Sequence, residues 1–124
     1  MNYKKTTVFK FFQDLELNTQ TYHWLTESYS RHIGSDKLFK NILETGDKFI
    51  EVYIGRYGRP NFTQDTIVVK KMSDSEFVIY LKKSVEFLEN NIVKFFKQSD
   101  SELLNIRDEL IAQINQALYL FTLQ

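Results

Sequence analysis

The sequence predicts an all-α fold: four helices in one bundle, with a long crossover connection between the second and third. Three observations predict it. Apolar residues recur at spacings of three and four along most of the chain, the period of a helix with one buried face. Only 4 Gly and 1 Pro interrupt the 124 residues, so helix breakers are few and long helices are expected. One stretch, residues 59–73, lacks helical patterning and carries the β-branched run Thr66-Ile67-Val68-Val69, which favours extended backbone. An extended stretch of that length reaches ~50 Å, whereas a helix of about 25 residues is ~38 Å long. The connection can therefore cross a bundle from end to end, so that the second and third helices run the same way.

The first helix is predicted over about 7–27. Phe9, Phe12, Leu15, Tyr22 and Leu25 set its apolar face, widened by Val8, Phe11 and Trp24. Asn18-Thr19 is weak helix material, and a local irregularity is expected there. Residues 26–30 read as a short turn, with Ser28 or Ser30 as N-cap of the next helix.

The second helix is predicted over about 30–57. Leu38, Phe39, Ile42, Leu43, Phe49, Ile50, Tyr53, Ile54 and Tyr57 form a wide apolar stripe. Gly46 falls near its centre. A buried helical Gly costs about 1 kcal/mol against Ala, so a close backbone approach by a neighbour is expected. Gly34 points away from the stripe, and Ser35 is an alternative start for the helix. Gly55, Gly58 and Pro60 end it.

The third helix is predicted over about 74–97, with Ser75 as its cap and Phe77, Tyr80, Leu81, Ser84, Phe87, Leu88, Ile92, Phe95 and Phe96 facing inward. The fourth is predicted over about 101–120. Ser99 or Asp100 caps it and Glu102 sits in its first turn, where a negative charge suits the helix dipole.

The length fits one domain, 1–124. Lys+Arg and Asp+Glu balance at 16 each, so no general attraction to nucleic acid is expected. The absence of cysteine excludes disulfides, thiolate metal sites and cysteine nucleophiles. No apolar run reaches the ~18 residues of a membrane span, and no signal-peptide pattern opens the chain. A cytoplasmic location is expected.

Five polar residues carry the chemistry: His23, His32, Asp36, Asp47 and Glu51. The chain has only 2 His, and both fall in this set. Imidazole and carboxylate donors suit Fe(II), Mn(II) or Zn(II). On a helix, with His32 at zero, Asp36 lies near ~40°, Asp47 near ~60° and Glu51 near ~100°. Four ligand-type side chains thus share one edge of the second helix. Asp36 and Asp47 are ~16 Å apart along the axis, so one chain does not easily close a site. The paired Glu-x-x-His motifs of single-bundle di-iron sites are absent, and the last two helices carry no His. Each residue also has a plainer role: the acids as a solvated helix rim, His23 as a hydrogen-bonded helix-end histidine.

His23-Trp24, then His32, an acid four residues on at Asp36, another eleven further at Asp47, and Glu51 four beyond, together resemble the Dps family of small ferritins. The resemblance covers His23 to Tyr53. It implies a ferritin-like four-helix bundle and a homodimer or larger homo-oligomer. It further implies a ferroxidase site shared across a two-fold interface, with Asp47 and Glu51 of one subunit facing His23, His32 and Asp36 of another. Iron storage, iron oxidation or oxidative protection would follow, with Trp24 placed to quench radicals. Three features depart from the family. The interval from His23 to His32 is about one helical turn shorter. The Gly of His-Trp-x-x-x-Gly is replaced by Ser28. A basic tail and an extra helix in the middle connection are missing, so the twelve-subunit cage and DNA protection are not carried over. The segment from Glu51 to Arg59 also resembles short phage and viral proteins. That resemblance implies the competing reading, a non-enzymatic ferritin-like structural or interaction protein in host cytoplasm or virion.

Overall fold

The computed structural model describes residues 4–123. Four α-helices pack together: α1 Thr6–Leu25, α2 Tyr29–Tyr57, α3 Asp74–Asn90 and α4 Ser101–Leu120, with a 3-10 turn at Ile92–Phe95 between the last two. Among the described residues there is no strand, and no helix is long and apolar enough to cross a membrane.

The helix directions follow from the side-chain pairs. His23 meets His32 and Phe12 meets Phe49, so α1 and α2 are antiparallel. Tyr22 stacks on Phe77 at 3.9 Å and Phe11 on Phe87 at 4.4 Å, so α3 also runs against α1. The second and third helices therefore run the same way. Thr45 bonds Gln113 and Tyr57 bonds Asp100, which sets α4 antiparallel to α2.

The crossover connection between α2 and α3 lies along α1 and carries no regular structure. The Phe62 ring sits 6.4 Å from Phe9, Lys10 pairs with Asp65 at 3.4 Å, and Asn18 clamps its far half. The Asn18 amide donates to the Val68 carbonyl at 3.0 Å and accepts from Lys70 N–H at 3.2 Å. The Asn18-Thr19 pair thus produces no irregularity: α1 is continuous, and the buried Asn18 spends its amide on the connection, satisfying backbone that has no ladder partner.

The core is aromatic-rich, including Phe12, Tyr22, Phe49, Tyr53, Phe77 and Phe96 with Leu and Ile between them. Burying each large apolar side chain contributes roughly 1.5–3 kcal/mol. α3 is shorter than the 74–97 span predicted for it. Asn90-Asn91 are poor helix formers, and Phe96 takes an extended conformation that seats its ring against Phe49 at 6.0 Å. Arg107 Nη1 donates to the Leu88 carbonyl freed at the helix end. The α3 cap is Ser73 rather than Ser75. Ser73 and Glu76 form a reciprocal capping box, satisfying two amide donors at the helix start. α1 stops at Leu25, two residues early, where Thr26 turns extended. Ser28 caps α2.

Two glycines differ from expectation. Gly34 is buried, and a Cβ there would meet the Phe121 ring at 2.9 Å. α4 packs on that side of α2, which the apolar stripe alone does not reveal. Gly46 does admit a neighbour, but it is the Phe12 ring rather than a backbone.

Candidate metal centre

The tight turn between α1 and α2 brings His23 and His32 together. Their rings stack with centroids 4.1 Å apart and planes 16° from parallel. The contact is reciprocal. His23 Nδ1 lies 2.8 Å from the His32 carbonyl, and His32 Nδ1 lies 2.9 Å from the His23 carbonyl. A carbonyl oxygen only accepts, so both Nδ1 atoms carry the proton. In the neutral form, each ring then presents an Nε2 lone pair. A backbone carbonyl on the far ring nitrogen is the usual support of a metal-binding histidine. Ser35 reinforces the pair: its hydroxyl donates to the His32 carbonyl at 3.2 Å and lies 3.4 Å from His23 Nδ1.

Asp36 completes this end. Its Oδ1 is 3.8 Å from His23 Nε2, and its Oδ2 accepts from Lys40 at 2.9 Å. The hydrogen bond from Lys40 holds the Asp36 carboxyl below its ordinary range. Partial desolvation opposes this, while the charges of Lys40, His23 and His32 add to it. Lys40 lies outside the five candidates, although its i,i+4 spacing from Asp36 is a recognisable ion-pair signal.

Asp47 and Glu51 lie exposed about three and four turns further along α2. The structure does not bring them to the histidines of the same chain. Among the described residues, no group of three or more His, Cys, Asp or Glu side chains is arranged to hold a metal. Asp47 instead borders a groove of about 610 Å³ between α1 and α2, floored by Phe12, Gly46 and Ile50. Glu16 reaches into the same groove from α1. Burial pushes its carboxyl up, and the neighbouring Asp47 pushes it further. Glu16 stands two turns before His23 on one face of α1, a spacing that could have flagged it. Its proximity to Asp47 depends on the helix pairing.

The histidine end offers imidazole and carboxylate, donor types that suit an iron-type ion, but the two rings are stacked rather than converging, so these residues form no three-donor site as they stand. Trp24 stands beside the pair and is 64% exposed.

The profile of a family of unknown function, DUF5856, matches residues 23–121. The matched span opens on His23 and holds all five candidate ligands, but leaves out most of α1, Glu16 included. No curated protein and no solved structure matches the chain significantly.

Proposed function

The chain belongs to the DUF5856 family, whose function is unknown, and from the residues of its histidine end we propose that it is a ferritin-like, Dps-like iron-binding protein with a ferroxidase-type site shared between two subunits. The observation that carries the reading is the histidine pair. Reciprocal Nδ1–H bonds to the His23 and His32 carbonyls fix both tautomers and leave both Nε2 lone pairs free, that of His23 3.8 Å from Asp36 Oδ1. The helix order, with parallel α2 and α3 joined by a long crossover, supports the ferritin-like assignment.

In this reading Fe(II) is the substrate, and it supplies a one-electron couple when bound. His23 and His32 are ligands, and Asp36 bridges or orients its histidine. Asp47 and Glu51 act on the site of a second copy across a two-fold axis. Mn(II) and Zn(II) suit the same donors.

A second reading has its own support. Lys40 already neutralises Asp36, and no three donors converge within one chain. A non-enzymatic ferritin-like structural or interaction protein, such as a phage or viral component, accounts for both.

One experiment separates them. The protein is produced with iron, and its bound metal, mass and Fe(II) oxidation are measured together. The first reading expects an iron-loaded dimer or larger assembly that speeds oxidation. A metal-free monomer without that activity overturns it. His32→Ala and Asp47→Ala should each weaken metal binding by at least about tenfold. Unchanged metal content in both would remove these residues from the site.

A further inference from the structure

At the opposite end of the bundle from the histidine pair, the start of α1 meets the start of the crossover connection. A cleft of about 320 Å³ opens there, lined by Lys4, Lys5, Thr6, Arg59, Pro60 and Asn61. Among the described residues, three cations line it and no carboxylate does. The chain as a whole is neutral, so this is a local concentration of one sign. Lys5 donates to the Tyr57 carbonyl, which holds the ammonium in place without neutralising it. Among the described residues, neither Lys4 nor Arg59 forms an ion pair. Arg56, one turn earlier on α2, is by contrast tied to Asp100 and Glu102.

Like charges gathered around one hollow repel, and an anion between them relieves that cost. The hollow is also held in shape. Gly58 turns the chain with φ of 82°, and Pro60 fixes its own backbone and restricts that of Arg59. Arg59 therefore presents its guanidinium fork from a constrained position. The Thr6 hydroxyl and the Asn61 amide add neutral donors. The first turn of α1 contains no acid that would compete.

We propose that this cleft binds a phosphate group. Arg59 would engage two of its oxygens, with Lys4 and Lys5 supplying point charges. The volume is several times the ~30 Å³ share of one water, so free phosphate fits and so does a small phosphate monoester. The proposal is independent of the metal reading and uses none of its residues.

The test is an amide-shift titration of the intact protein with inorganic phosphate at low ionic strength, beside acetate at matched ionic strength. Saturable shifts are expected at the amides of residues 4–6, 59 and 61. Lys4→Ala and Arg59→Ala should each weaken binding about tenfold, with Arg59→Lys intermediate because it keeps the charge and loses the fork. Both side chains are exposed, so helix content should be unchanged in each variant. Adenosine monophosphate distinguishes the sources. Tighter binding on the same amides assigns a phosphate monoester, and equal binding assigns free phosphate. The proposal is overturned by no saturation below about 20 mM, by equal shifts with acetate, or by unchanged affinity in a Lys4→Ala/Arg59→Ala double variant.

Discussion

Gly46 and Gly55 stand on the same helix and oppose packing to propensity. At Gly46 an added Cβ would sit 3.0 Å from Phe12 Cδ1. The Phe12 ring cannot easily give way, since Phe11 and Phe49 each pack against it at 5.2 Å. At Gly55 an added Cβ meets nothing within 4 Å. Alanine gains about 1 kcal/mol over glycine in a helix interior. Gly55→Ala should therefore stabilise by about 0.5–1 kcal/mol. Gly46→Ala should lose about 1 kcal/mol net, because overpacking outweighs the same gain. Urea unfolding of the two variants checks this, and equal gains at both sites would mean that Phe12 moves freely. The sequence marked Gly46 as a contact point because it interrupts an apolar stripe. It did not mark Gly34, whose neighbour Phe121 lies at the far end of the chain.

Asp100 joins two helix ends. By position it is the N-cap of α4, yet its side chain makes no capping bond. It is fully buried and turns instead to α2, accepting from the Tyr57 hydroxyl and from Lys97 N–H at 3.0 Å, and facing the Arg56 guanidinium at 2.6 Å. Burial by itself would raise the Asp100 carboxyl. The hydrogen bonds from Tyr57, Lys97 and Arg56, with the Arg56 charge, outweigh it and pull the group below its ordinary range. The folded state therefore binds this proton more weakly than the unfolded chain does. Its stabilisation is complete above the unfolded value of about 3.9 and is lost as pH falls through the lower folded value. Asp100→Asn should be less stable than the parent at neutral pH, and flatter in stability below about pH 4. Urea midpoints of both proteins across pH 2–7 (roughly, bracketing carboxylate titration) measure this. Parallel curves would assign the acid limb to other carboxylates. Asp100 was legible in the sequence as a cap from its place before an apolar run. Its bonds to Tyr57 and Arg56 were not, since they span more than forty residues.

At the scale of the molecule, the two bundle ends differ. Trp24, Leu25, Tyr29, Ile33, Tyr119 and Leu123 are exposed at the histidine end, while the phosphate cleft lies at the other. Between them runs the α1–α2 groove, bordered by Asp47, which the two-subunit reading has act on a second copy. Leu43 borders this groove and is 41% exposed in the single chain, so a substitution there spares the core. If two copies meet on this face, Leu43→Arg buries an unpaired charge in the contact. It should weaken self-association by at least about 100-fold and remove bound metal with it, while leaving helical circular dichroism unchanged. Sedimentation together with metal analysis checks both. An assembly that persists with its metal would exclude this face as the interface.

The sequence by itself determined four helices and one crossing connection. Apolar periodicity and chain length are local properties, and they survive without knowledge of any neighbour. It also determined which side chains are of metal-ligand type, and that Asp36 and Asp47 are too far apart to act together within one helix. Tertiary structure decided the rest. It set which ring nitrogen of each histidine is free, because the accepting carbonyl belongs to the other histidine across the turn. It brought Glu16 to Asp47 and gathered Lys4, Lys5 and Arg59 around one hollow. Those pairings join residues far apart in the chain, and only the packing of α1 against α2 and the crossover makes them neighbours.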